Sequence, residues 1–132
     1  MYTKSLIVCF FAYFFSILLG YLSLIYFDLS HLWLDILLAH VVATLVIFIF
    51  SVIYKNSSLY DPFWSVIPLA IFIYLIMYPQ IDESSALRFF LIGIPITYYA
   101  IRLTWNWLKT WPGLEKEDFR YINLYETFGR FK

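Results

Sequence analysis

Long apolar runs separated by short polar segments dominate this chain. Four runs contain no charged residue, namely residues 5–27, 36–54, 62–81 and 89–101. About 20 helical residues cross the hydrocarbon core of a bilayer, so the first three runs are long enough to span it. The fourth run spans only if its helix continues past Arg102 to about Leu108. The pattern therefore predicts four transmembrane helices, over residues 5–27, 33–54, 62–81 and 88–108, with a tail over 109–132.

Composition supports the same class. Hydrophobic residues make up 63% of the 132 residues and charged residues 14%, whereas an ordinary soluble domain has about 25% charged residues. No repeat or linker interrupts the chain, so we expect one domain over 1–132, an all-α integral membrane bundle with an amphipathic C-terminal tail. One cysteine, Cys9, and two distant histidines, His31 and His40, predict neither a disulfide nor a metal site. We expect no nucleic-acid partner.

The basic residues predict the orientation of the four spans. Threading the spans through a bilayer puts Lys4, Lys55, Arg102, Lys109, Lys116, Arg120, Arg130 and Lys132 on the side that holds both termini. The opposite loops carry Asp28, Asp35, Asp82 and Glu83 with only Arg88. Because basic residues accumulate in cytoplasmic segments, we expect both termini and the tail to be cytoplasmic. A bacterial inner membrane, an archaeal membrane and the endoplasmic reticulum all fit this topology.

Small residues mark one face of the first predicted helix. Ala12, Ser16 and Gly20 recur every four residues, so they lie one above the other on the helix surface. Small side chains let a neighbouring helix backbone approach closely inside a membrane. This face is therefore a predicted helix contact.

The segment before the third predicted span has two interpretations. Asp61 followed by Pro62 is typical of a helix start, where a carboxylate accepts hydrogen bonds from exposed N–H groups. Asp61 and Trp64 are also three residues apart, so an acid and an indole can face one cytoplasmic cavity. Both interpretations keep Asp61 near the membrane interface.

The end of the fourth predicted span carries a polar stripe. Arg102, Trp105, Asn106 and Lys109 follow helical spacing, so they share one side of the helix. The stripe suits snorkelling toward headgroups, an anionic cofactor or an anionic lipid.

The tail is predicted to form a capped amphipathic helix on the membrane surface. Acidic residues are expected in its first turn, where they complement the helix dipole, and Glu117 is expected to pair with Arg120. Its aromatic residues are expected to pack on lipid or on another protein, namely Phe119, Tyr121, Tyr125 and Phe128.

These polar elements together resemble the N-terminal half of the membrane family related to steroid 5-alpha-reductases. Order and spacing match for Asn56, Asp61-Pro62-Phe63-Trp64, Arg102-Leu103-Thr104, Asn106, Glu117-Asp118-Phe119-Arg120-Tyr121 and Gly129-Arg130. The resemblance implies reduction of a carbon–carbon double bond in a lipid-soluble enone, with hydride from NADPH on the cytoplasmic side. By position it assigns to the cofactor cavity Asp61, Trp64, Arg102, Asn106, Asp118, Arg120 and Tyr121. It assigns no catalytic residue, although the Tyr121 phenol has the chemistry to protonate an enolate.

The sequence departs from that family in one respect. Family members are longer and carry a later Tyr-Ser-x-His-Pro-Asn-Tyr type segment associated with NADPH binding, which has no counterpart here. We therefore expect a truncated or split member that lacks the residues to complete a nucleotide site, is not catalytic alone and needs a C-terminal half or a second membrane subunit.

Two alternatives remain open. One is a non-catalytic interaction protein that docks on another subunit through its aromatic tail and the face formed by Ala12, Ser16 and Gly20. The other is a fragment similar to the isoprenylcysteine methyltransferases, which are lipid-modifying enzymes and would use S-adenosylmethionine.

Overall fold

A computed structural model describes residues 2–78 and 86–129, and the regular elements in these residues are all helices. The elements are α1 (Tyr2–Tyr26), α2 (Leu32–Ile53), a 3₁₀ segment (Ser57–Tyr60), α3 (Phe63–Met77), α4 (Ala86–Thr110) and α5 (Phe119–Phe128). No strand occurs in this part of the chain, so the predicted all-α fold is confirmed. Residues 79–81 of the third predicted span, the loop acids Asp82 and Glu83, and tail residues 130–132 lie outside the described residues.

Four helical stretches are long and apolar enough to cross a membrane. They are Tyr2–Tyr26, Leu32–Ile53, Ser57–Met77 and Ala86–Thr110. The fourth apolar run needed a helix that continues past Arg102, and α4 continues unbroken to Thr110. Its 25 residues rise about 37 Å, which exceeds the hydrocarbon thickness of roughly 30 Å. The chain is therefore an integral membrane protein.

The chain divides into two compact units. The first contains Met1–Asp61 and Pro112–Lys132, and the second contains Pro62–Trp111.

In the first unit, α1 packs against α2 through its small residues. Ala12 and Ser16 have no exposed surface, and the Ser16 hydroxyl donates a 2.9 Å hydrogen bond to the Ala43 carbonyl. A Cβ atom at Gly20 would lie 3.0 Å from the Ala39 carbonyl oxygen, so the two backbones are in close contact there. The predicted small-residue face thus packs within the chain. An external subunit cannot use it unless α1 separates from α2.

In the second unit, α3 packs against α4. The Phe72 ring covers Gly93 so closely that a Cβ atom there would lie 2.7 Å from the ring. Ser65 and Thr104 join the two helices through a 2.9 Å hydrogen bond between their hydroxyl groups.

A glycine turn directs the tail of the first unit back to α1. Gly113 has φ of +97°, a backbone conformation that glycine adopts without steric cost. A Cβ atom at Gly113 would lie 3.1 Å from the Ser5 hydroxyl oxygen. The next residue, Leu114, donates its backbone N–H to the same hydroxyl at 3.2 Å. The turn therefore fixes where the chain leading to α5 begins.

Candidate functional site

Asn56 holds the loop after α2 against the tail. Its side-chain oxygen accepts a 3.0 Å hydrogen bond from the Ser58 N–H and so caps the 3₁₀ segment. Its amide nitrogen donates to the carbonyls of Leu114 and Lys116 at 3.0 and 3.1 Å. Asn56 is only 1% exposed, so these bonds satisfy a buried amide. One side chain thus joins two segments that are distant in the sequence.

Glu117 and Asp118 extend this contact. The Ser57 N–H donates to the Glu117 carboxylate at 2.7 Å, and the Tyr125 hydroxyl donates to the same carboxylate at 3.1 Å. The Ser57 and Tyr125 hydroxyls also hydrogen-bond to each other. The Asp118 N–H donates to the Ser58 hydroxyl at 2.8 Å. The expected Glu117–Arg120 ion pair is therefore wrong, because Glu117 binds the loop and Arg120 has other partners.

Asp61 receives two hydrogen bonds from α5. The Tyr121 hydroxyl donates to Oδ1 at 2.9 Å, and Arg120 Nη2 donates to Oδ2 at 3.2 Å. Arg120 also donates through Nε to Asp118 at 2.8 Å, so one guanidinium joins two carboxylates.

Asp61 was also interpreted as a helix cap, and this interpretation is wrong. The residue at the cap of α3 is Pro62, without a side-chain cap bond, because the Asp61 carboxylate is directed to the tail.

Asp118 caps α5, so the acidic residues lie before the helix and not in its first turn as predicted. Its carboxylate accepts a 2.9 Å hydrogen bond from the Arg120 N–H. The side-chain hydrogen bond from Arg120 holds the pKa of Asp118 below its ordinary value and, in return, raises the pKa of Arg120. Burial, followed by the hydrogen bond to Asp61, raises the pKa of Tyr121. The phenol therefore remains protonated at neutral pH.

The structure brings together four of the seven predicted cofactor residues. Asp61, Asp118, Arg120 and Tyr121 form one hydrogen-bonded group in the first unit, which we call the carboxylate cluster. The other three, Trp64, Arg102 and Asn106, belong to the second unit. Trp64 lies in the first turn of α3, and its side chain is exposed.

Arg102 and Asn106 lie one turn apart on α4, and both are exposed. Lys109 Nζ lies 5.1 Å from the Trp105 ring centroid, so the predicted polar stripe includes a cation–π contact. Arg102 forms no ion pair with any described residue. Over the same residues, no group of three His, Cys, Asp or Glu side chains is placed to hold a metal ion.

The site lies in the part of the chain that matches a known protein family. The model of a family described as a protein of unknown function (DUF1295) matches residues 47–131. The chain belongs to the DUF1295 family. No curated protein and no solved structure matches it.

The DUF1295 match contains every residue of the carboxylate cluster as well as Asn56 and Glu117. Asn56 and Glu117 were not predicted as site residues, yet they hold the tail in place. A sequence signal for Asn56 was available, because an asparagine two residues before a serine N–H is a common local cap. No local signal identified its contacts with Leu114 and Lys116, which are 58 and 60 residues away.

Proposed function

We propose that this DUF1295 chain forms the cofactor-facing part of a membrane reductase. The complete enzyme would reduce the carbon–carbon double bond of a lipid-soluble enone with NADPH, and this chain would not be catalytic alone. Both chain termini and the carboxylate cluster would face the cytoplasm, where NADPH is available.

One observation carries this proposal. The resemblance to the steroid 5-alpha-reductase family rests mainly on two short elements, one containing Asp61 and the other containing Arg120 and Tyr121. These elements are about 60 residues apart in the sequence, and they meet through direct side-chain hydrogen bonds. An exposed ion pair contributes little to the stability of a fold, so stability alone does not account for the contact between these two elements.

The carboxylate cluster has groups that suit the ribose part of a dinucleotide. Two aspartates and one arginine give it a formal charge of −1, so it attracts hydroxyl groups better than phosphates. Carboxylates accept hydrogen bonds from ribose hydroxyls, and in NADPH it is the nicotinamide ribose that keeps both hydroxyls, because the adenosine ribose carries the 2′-phosphate. The Arg120 side chain is 61% exposed, and its Nη1 has no hydrogen bond to the described residues.

Bound NADPH would supply a hydride to the β-carbon of the enone, and a proton must then reach the α-carbon. Tyr121 is poorly placed to supply that proton. Its hydroxyl proton is donated to Asp61, and its loss would leave a phenolate beside a carboxylate. We therefore assign Tyr121 to positioning Asp61. The proton would come from a residue outside this cluster, consistent with a chain that is not catalytic alone.

Cofactor titration of the purified chain in detergent tests the proposal. Energy transfer from tryptophan to NADPH reports binding, and NADPH absorbance in the presence of a lipid-soluble enone reports turnover. We expect saturable NADPH binding that Arg120→Gln and Asp61→Asn each weaken roughly tenfold, since each removes a charged hydrogen bond. Lys116→Gln is the matched control, because it removes one positive charge from the same exposed segment without removing a cluster contact.

Binding that neither cluster variant changes would refute the assignment of the cofactor to this cluster. Tight binding combined with enone turnover by the wild-type chain would refute only the statement that it is not catalytic alone.

A non-catalytic interaction protein is the second candidate. The exposed Phe119 and Phe128 rings at the two ends of α5 favour it. Crosslinking in native membranes should then recover a second protein through the tail, whereas recovery of the monomer alone would count against this function.

A further inference from the structure

Arg102 is a cation without a described partner in an apolar helix. Eight residues separate it from the end of α4 at Thr110, a distance of about 12 Å along the axis. Its side chain is exposed, and it forms no ion pair with residues 2–78 or 86–129. A charge at that depth is costly unless an anion or water stabilises it.

Three neighbours on α4 complete a polar stripe around Arg102. Trp105, Asn106 and Lys109 follow it at helical spacing, and we call these four residues the α4 cation stripe. Arg102 and Lys109 are about 10 Å apart along the axis, with the Asn106 amide between them. Trp105 is exposed beside Lys109, as indole rings often are at the headgroup level. The stripe thus offers two cations and an amide donor to a phosphate.

An apolar groove lies on the Arg102 side of the α4 cation stripe. A cavity of about 800 Å³ lies between α3 and α4 in the second unit. On α4 its lining includes Ile101, next to Arg102, as well as Tyr98 and Ile94, one and two turns further along the helix. The stripe residues themselves do not line the groove, so a molecule that reaches both would extend along α4 from Ile94 past Ile101 to Arg102.

We propose that α3 and α4 bind an anionic phospholipid, with its phosphate on the α4 cation stripe and one acyl chain in the groove. Ile94 lies about 12 Å from Arg102 along the helix, comparable to the roughly 15 Å of hydrocarbon in one leaflet. A dinucleotide is polar along its whole length and would leave the groove empty. The lipid phosphate therefore takes the place at Arg102 that the family resemblance assigns to the cofactor.

Native mass spectrometry of the full chain in detergent tests this site. Phosphatidylglycerol and phosphatidylcholine are titrated separately, and bound lipid is counted. The wild-type chain should prefer phosphatidylglycerol. Arg102→Gln and Lys109→Gln should each reduce that preference about fivefold, the effect expected for one basic residue at an anionic surface. Arg88→Gln is the matched control, because Arg88 lies in the first turn of the same helix, away from the stripe.

Two further variants test the groove. Ile94→Trp places a larger side chain in it and should weaken binding of both lipids by a similar factor. Ile92→Trp is the control, since Ile92 has nearly the same exposure, 51% against 55%, but does not line the groove. Circular dichroism should show unchanged helix content in all variants.

The proposal is overturned if the Arg102→Gln, Lys109→Gln double variant retains the wild-type preference for phosphatidylglycerol. It is also overturned if NADPH displaces phosphatidylglycerol from the wild-type chain, because the stripe then holds the cofactor. Retained lipid preference in a chain that binds no NADPH would support the lipid site and refute the proposed reductase function alone.

Discussion

Replacing Asn56 by alanine should release the tail from the loop after α2. The buried amide makes three hydrogen bonds, to Ser58, Leu114 and Lys116. A neutral hydrogen bond contributes about 1 kcal/mol, and two of these bonds cross to the tail, so their loss should cost roughly 2 kcal/mol of docking free energy. The Leu114 and Lys116 carbonyls and the Ser58 N–H would all lose their partner, which makes full compensation by local relaxation difficult.

Limited trypsin digestion in detergent measures this loss. Lys116 and Arg120 lie in the docked tail, and they become cleavable when the tail opens. Because cleavage follows the population of the open form when opening is fast, about 2 kcal/mol should raise the cleavage rate roughly 30-fold. Asn123→Ala is the matched control, since Asn123 is an exposed asparagine on α5.

The control should digest at close to the wild-type rate. If Asn56→Ala also stays within about threefold of wild type, Asn56 does not hold the tail and the docking energy lies elsewhere. Equal acceleration in both variants would instead indicate that α5 unfolds locally, without undocking from the loop.

Three further predictions concern the tail and the second unit. The lowered pKa of Asp118 arises from Arg120, so the contribution of this carboxylate to the start of α5 is present above its unfolded pKa of about 3.9 and is lost as the pH falls through the lower folded pKa. Pepsin should therefore cleave wild-type α5 faster as the pH falls through this range, and Asp118→Asn should cleave quickly at every pH tested. Gly113→Ala puts an alanine at φ of +97° with its Cβ atom 3.1 Å from the Ser5 hydroxyl oxygen, and it should lower the docking free energy of the tail by about 1–3 kcal/mol, measured by tail proteolysis. Gly129→Ala, whose Cβ atom would have no atom within 4 Å, should leave the docking contacts unchanged. Gly93→Ala overpacks α3 against α4 and should cost about 1–3 kcal/mol in thermal unfolding, and Phe72→Leu in the same chain should restore part of the loss; a fully stable Gly93→Ala variant would contradict the close ring contact.

The membrane class and the helical fold were determined by local sequence. Uncharged runs that match the bilayer thickness can satisfy their backbone hydrogen bonds only as helices, so hydropathy alone predicted the four long apolar helices. The Ala12, Ser16 and Gly20 spacing likewise predicted a contact face, because helical periodicity places those residues together. The spacing did not identify the neighbour, and the structure shows that it is α2.

The partners of the polar residues were decided by tertiary structure. Asp61 has a strong local interpretation as a helix cap, and Glu117 has one as a partner of Arg120, yet both bind groups that are about 60 residues away. Local rules rank the options near each residue, but they contain no information about which distant segment the fold brings close. Here the turn at Gly113 and the buried Asn56 amide place α5 against the 3₁₀ segment, and that placement gives each carboxylate its partners.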